Sequence, residues 1–275
     1  MVQRQVDYAP TLSLERTVTR GRRLVYDVDD AIWAGDTSSG AHAMAWLKRS
    51  RQKARWLAER ADHVVAGNAI LADWLRQYAA RVTVIPSLVD VRTIRPRTHR
   101  EMDDVVLGWI GSRTTARYLE RLEQPLADVR RRVRGRVTLV VVGGTLSRRV
   151  PGVHYEVIPW SEANEREALR RMDIGVMPLV DTEWTRGKCA YKALQYMAAG
   201  VPVVADPVGI TEAAVGAGGA MASGPEEWAE AIVRLASDAD RRALVGAAGR
   251  ARVCAEFSVE RWVPALASIL RGGDV

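Results

Sequence analysis

Two short stretches carry the residue types that could do chemistry. In YDVDD, Asp27, Asp29 and Asp30 place three carboxylates within four residues. In RGKCAYKALQ, Arg186, Lys188 and Lys192 place three cations within seven, and Gln195 follows. The carboxylates close an apolar run, where a parallel strand would deliver them to the ligand end of a sheet. Acids so clustered can orient a hydroxyl or ligate a metal. Lys188, Lys192 and Gln195 stand at i, i+4 and i+7, which puts them on one face of a helix predicted over 188–199. Ala190, Leu194, Met197 and Ala198 then form its core face. The N-terminus of a helix disfavours cations, and two lysines on one face repel each other slightly. The spacing therefore fits a bound diphosphate, and it fits equally a solvated basic helix end.

A third stretch, GWIGSRTTARYL (108–119), reads as a strand ending at Gly111 and a helix opening over Ser112, Arg113, Thr114 and Thr115. Small residues there let an anionic ligand approach backbone N–H groups. A merely capped helix has the same pattern.

These residues need a frame. The chain alternates short apolar strands with amphipathic helices, which predicts an α/β protein with parallel sheets. Strands are expected at 23–28, 63–67 and 82–86, with helices near 43–61 and 68–80. A proline-bearing, charged segment, VDVRTIRPRTHREMDD (89–104), separates these from a second series. There, strands are expected at 104–111, 137–143, 154–159, 173–179 and 202–206, with helices near 114–133, 162–172, 188–199 and 225–237. Two further helices, near 239–256 and 258–271, close the chain. The organisation expected is a first domain over 1–90, a linker over 91–103, a second domain over 104–257, and a helix over 258–275 that packs back on the first.

Bulk composition narrows the class. Of 275 residues, 48% are hydrophobic and 27% charged, which suits a soluble protein with buried cores. No apolar run is long enough to span a membrane, and MVQRQVDYAP is not a signal peptide. Cys189 and Cys254 are too few for a disulfide framework, so a cytoplasmic location is expected. The net charge of +7 falls entirely within the first hundred residues, much of it in AWLKRSRQKARW. Lys48, Arg49, Arg51, Lys53 and Arg55 read as a solvated basic face, or as a patch for an anionic acceptor or the headgroups of the inner membrane face. No nucleic-acid motif accompanies them.

Taken together, YDVDDAIW (26–33), ADHVVAGNAILADWL (61–75), RVTVIPSLVD (81–90), LGWIGSRTTARYL (107–119), GKCAYKALQYMAAGVPVVADPVG (187–209) and EEWAEAIVRLASD (226–238) resemble, in order, the segments of retaining GT-B glycosyltransferases, the family of sucrose synthase and bacterial mannosyltransferases. The resemblance implies two Rossmann-like domains with a nucleotide sugar held between them. It implies transfer to a hydroxyl on a glycan, lipid or small molecule, with retention of configuration and no required metal or cofactor. Gly111, Ser112, Arg113 and Thr114 would face the diphosphate. Arg186, Lys188 and Lys192 would bind phosphate or sugar, the Gly187 backbone would approach the transferred sugar, and Gln195 would bond the ribose. Asp29, Asp30 and Lys188 would act at the reacting centre.

The sequence departs from the family in two ways. Many members carry glutamates where this chain has Gly187 and Gln195, and their first domain runs to about twice the length present here. A non-catalytic nucleotide-sugar-binding or assembly subunit is therefore the alternative, and an NDP-sugar epimerase of related fold a third. The short first domain leads to an expectation of self-association as a homodimer or with a partner. Trp184 could stack near the nucleotide or simply pack. None of His42, His63, His99 and His154 fits the histidine that the family places near the reacting sugar.

Overall fold

The computed structural model describes residues 1–7, 11–34, 50–101 and 103–273. The chain divides into two compact units. The first comprises Met1–Leu88, Asp181–Cys189 and Val259–Val275, and the second Val89–Val180 and Ala190–Ser258. The fold is α/β with two parallel sheets, as expected.

The first unit is built on four parallel strands in spatial order β1 (Val2–Gln3), β2 (Val25–Val28), β3 (His63–Ala66) and β4 (Val82–Val84). Tyr26 and Val28 of β2, with Val64 and Ala66 of β3, face one core, shared with Leu57, Leu71 and Leu75 from the helices Ser50–Arg60 and Ala69–Leu75. The alternate residues Val25 and Val65 face the other, with Ile85 and with Ile269 of the helix Val259–Arg271. A parallel sheet must be covered on both faces, and Val259–Arg271 covers the second. Arg23 fixes that helix by donating to the carbonyls of Ile269 (2.7 Å) and Leu270 (2.9 Å), which satisfies groups a helix end leaves open.

The predicted basic face loses one of its members here. Lys53 is only 1% exposed and is paired with Glu15 (2.6 Å) and Asp7, because its helix position points into the unit rather than to solvent. Arg55 pairs along its helix with Glu59 at 2.7 Å. Trp46, Lys48, Arg49 and His42 lie outside the described residues. Among those described, no helix is long and apolar enough to cross a membrane.

The second unit has six parallel strands, β5 (Val105–Ile110), β6 (Val137–Val142), β7 (Val153–Ile158), β8 (Ile174–Met177), β9 (Val203–Ala205) and β10 (Gly219–Met221). Their spatial order is β10-β9-β8-β5-β6-β7. Strand alternation again divides the core. Leu107, Trp109, Leu139, Val141 and Val176 meet the helices Glu123–Arg132 and Pro225–Ala236. Ile110, Val140, Val142 and Met177 meet the helices Glu162–Arg171 and Tyr191–Ala198. The sheet grows in one direction from β5 through β7 and in the other from β8 through β10. The point where the order reverses lies between β5 and β8, and in open parallel sheets ligands bind beyond the strand ends at such a point.

Residues 91–101 form no helix or strand, yet they are bonded to this second unit. Arg97 grips the buried Asp173 (2.6 and 3.1 Å), Arg250 reaches the carbonyl of Ile94 (3.1 Å), and Arg242 that of Arg100 (2.8 Å).

Candidate functional site

The residues singled out in the sequence fall into two groups, one in each unit. In the second unit they surround the end of β5. The backbone there turns through Gly111 and Ser112, and the helix expected from Ser112 begins later, as a 3-10 helix over Ala116–Leu122 that continues into Glu123–Arg132. Local hydroxyls are the reason for the delay. Ser112 N–H donates to Thr115 Oγ1 (3.2 Å), while Thr115 and Ala116 N–H both return to the Ser112 carbonyl (3.1 and 3.0 Å). Such side-chain bonds compete with helix formation. Gly111 N–H is used by the Val142 carbonyl at 3.0 Å. The N–H groups of Arg113 and Thr114 stand outside this set.

Lys192 lies over this turn. Its Nζ sits 4.5 Å from the centre of the Trp109 ring and 3.4 Å from Thr115 Oγ1. Gly111 makes the approach possible, since a Cβ there would come within 2.4 Å of the Trp109 ring and 2.8 Å of Lys192 Nζ. One turn along the same helix, Gln195 is 5% exposed and donates to Glu165. The helix is tied to the sheet by Tyr196, whose hydroxyl accepts from Ile110 N–H at 2.9 Å. Burial pushes that phenol far above its ordinary range, so it stays neutral. The buried Asp206, just past β9, accepts from Leu179 N–H (2.8 Å) and from Arg121 of the 3-10 helix (2.9 Å), which joins that helix to the strand ends.

Lys188 does not share a helix face with Lys192 and Gln195. The helix starts at Tyr191, after Ala190 adopts a left-handed backbone (φ 53°) that breaks helical continuity. Lys188 instead follows the short helix Glu183–Arg186, and its N–H closes back on the Thr185 carbonyl at 3.1 Å. The expected face holds for Lys192 and Gln195 only.

In the first unit, Lys188 is brought to the carboxylates. Its Nζ stands 3.5 Å from Asp30 and 5.0 Å from the centre of the Trp184 ring, so Trp184 is engaged by this cation. Arg4, which sequence reasoning passed over, donates to Asp29 (2.5 and 2.7 Å) and Asp30 (2.9 Å). It holds a left-handed backbone (φ 58°), kept there by bonds from its N–H to the Asp27 carbonyl (2.9 Å) and from Tyr26 hydroxyl to its own carbonyl (2.8 Å). A non-glycine residue in that region is uncommon, and such strain clusters at functional sites. Burial raises the pKa of Asp30, with Lys188 and Arg4 pulling against it. Burial and the neighbouring Asp29 push Asp27 up to about 6. Arg186, for which an anionic ligand was expected, is exposed and already paired with Asp181 at 2.6 and 2.9 Å. Gly187 packs where no side chain fits, because a Cβ would meet Ala31 Cβ at 2.5 Å.

Residues 104–238 match the family described as glycosyl transferases group 1. The matched segment takes up just under half the chain and holds Gly111, Lys192 and Gln195. No curated protein matches the chain in sequence. Solved GT-B glycosyltransferase structures share its fold. Sucrose-phosphate synthase from Thermosynechococcus elongatus is 16% identical with a TM-score of 0.66, over 94% of this chain and 70% of that one. The Anabaena protein HepE in complex with UDP is 19% identical with a TM-score of 0.68, over 94% and 74%. An S. aureus TarM variant, solved with UDP among its ligands, is 13% identical with a TM-score of 0.71 over 94% of this chain, which spans only 53% of TarM.

Proposed function

We propose that this protein is a glycosyltransferase that moves a sugar from a nucleoside diphosphate sugar to an acceptor hydroxyl, with retention of configuration and without a metal ion. The observation that carries the reading is the Lys192 ammonium laid over the Gly111 turn at the switch point of the sheet, with Gln195 one turn further along. A fixed cation beside backbone N–H groups suits a diphosphate, and as the sugar departs it offsets the charge that develops on the leaving oxygens. Solved relatives that hold UDP or UDP-glucose support the donor class.

In the transfer step, the acceptor oxygen bonds to the anomeric carbon as the bond from that carbon to the diphosphate breaks. The acceptor's proton passes to the departing diphosphate oxygen. Of the first unit's residues, we assign Asp29, Asp30 and Lys188 to this step, with Arg186 and the Gly187 backbone near the sugar. A non-catalytic nucleotide-sugar-binding subunit is the second reading. It is favoured by Arg4, which already engages both Asp29 and Asp30.

Thermal denaturation with UDP and GDP tests the site. Ligand at a hundred times its Kd stabilises by about 2.7 kcal/mol, and Lys192→Ala is expected to remove most of the shift while the protein still folds. Excess EDTA should leave the shift intact. Equal shifts in wild type and Lys192→Ala would overturn the site. Mass-spectrometric screening of nucleotide sugars for transfer separates enzyme from binding subunit.

A further inference from the structure

Glu165 stands in the first turn of the helix Glu162–Arg171, and its two carboxylate oxygens are engaged from different directions. Oε2 accepts from the indole Nε1–H of Trp160 at 2.8 Å, and Oε1 accepts from the side-chain amide of Gln195. Trp160 follows β7 and is 62% exposed, whereas Gln195 is almost fully buried. These bonds leave no freedom in the assignment of atoms. A carboxylate can only accept, and an indole N–H can only donate. The atom of Gln195 that meets Glu165 must therefore be the amide nitrogen, which turns the amide oxygen away from Glu165. Without that carboxylate the Gln195 amide could flip, since its two ends are nearly equal in size and shape.

We propose that Glu165 is a positioning residue that locks Gln195 with its amide oxygen presented as an acceptor for a ribose hydroxyl, so that the site prefers ribonucleotides to deoxyribonucleotides. The inference rests on the donor reading above. It gives Glu165 and Gln195 together the work that one ribose-binding carboxylate could do alone. A donor hydroxyl on the sugar matches an outward carbonyl oxygen, and a ligand lacking it leaves that buried acceptor unpaired.

The Glu165→Gln substitution is nearly isosteric yet reverses the polarity of the chain of bonds. Trp160 still donates to an oxygen at position 165, so the new amide nitrogen must donate to Gln195. Gln195 then meets it with its oxygen and turns its nitrogen to the ligand. Adding Gln195→Glu to Glu165→Gln restores an acceptor at position 195 whichever way the side chain turns.

Titration calorimetry with UDP or GDP, whichever wild type binds more tightly, and with its 2′-deoxy and 3′-deoxy forms reads this out. Wild type is expected to favour the ribonucleotide over at least one deoxy form by roughly ten-fold, the scale of one hydrogen bond. Glu165→Gln should bind with that preference largely lost, and the double variant should regain it. A structural role alone would lower all affinities together and leave the ratio unchanged. An unchanged ratio in Glu165→Gln, or no preference in wild type, overturns the positioning role while leaving nucleotide binding in place. Failure of wild type to bind either UDP or GDP removes the donor reading, and this inference falls with it.

Discussion

Asn68 donates its side-chain amide to the carbonyl of Gly187 at 3.0 Å, across 119 positions of sequence. The same side chain caps the helix Ala69–Leu75, its Oδ1 accepting from Leu71 N–H at 2.9 Å. Asn68 therefore serves two elements with opposite ends of one amide. Asn68→Asp keeps the cap and sets a carboxylate oxygen against the Gly187 carbonyl. A lost buried bond and the unpaired carbonyl should lower unfolding free energy by roughly 2 kcal/mol. Asn68→Ala removes the cap as well, for about 1 kcal/mol more. Urea titration of the three proteins checks the order, and equal stability of Asn68→Asp and wild type would refute it.

Asp27 should make stability depend on pH in an unusual direction. Its carboxyl is raised from an ordinary 3.8 to about 6, chiefly by burial and then by Asp29. Between those values the folded chain binds more protons than the unfolded one, so stability falls as pH rises through the window. Allowing for its partial exposure, the contribution is on the order of 1–2 kcal/mol. Asp27→Asn should gain on wild type between pH 4 and pH 7 by that amount. Parallel stability profiles for the two proteins would be the contrary result.

The two cysteines should differ sharply toward an alkylating agent. Cys189 is buried, and burial pushes its thiol up to about 12. Its Sγ donates to the Asp29 carbonyl at 3.1 Å. Cys254 is exposed. Since the thiolate is the reactive form, brief iodoacetamide treatment of native protein should label Cys254 and spare Cys189, as read by peptide mass spectrometry. Equal labelling would show that the 187–189 segment opens readily.

Gly111→Ala should harm both stability and nucleotide binding. The added methyl would fall against the Trp109 ring and Lys192 Nζ. Overpacking of this kind costs typically 1–3 kcal/mol, and relief requires Lys192 to move from the turn. The UDP or GDP thermal shift should shrink more than the melting temperature of the free protein. A full nucleotide shift in the variant would separate Lys192 from the site.

Much of this frame was legible in the sequence, and the failures have physical causes. RLVYDV, VTLVVVG and DIGVMPL each contain a buried strand because apolar runs of that length are what a doubly covered parallel sheet requires. β1 and β10, of two and three residues, are too short to leave a pattern. The helix predicted from residue 188 begins at Tyr191 because Ala190 turns left-handed, and alanine gives no hint of that conformation. In the candidate site, the placing of Gly111 at a strand end and of Lys192 and Gln195 on one helix was readable from local spacing. Arg4, Glu165 and Trp160 were not, since each acts through a partner that only the folded chain supplies. Gln195 and Glu165 are 30 positions apart, and Arg4 and Asp29 are 25.

The first unit is stitched from three separated lengths of chain. During synthesis, the strands β1 to β4 leave the ribosome long before Ile269 and the carbonyls that Arg23 binds. One face of that early sheet must wait uncovered while the whole second unit is made. The part translated first is thus the part completed last, and between those moments its apolar residues Val25, Val65 and Ile85 are open to chaperones or to another nascent copy.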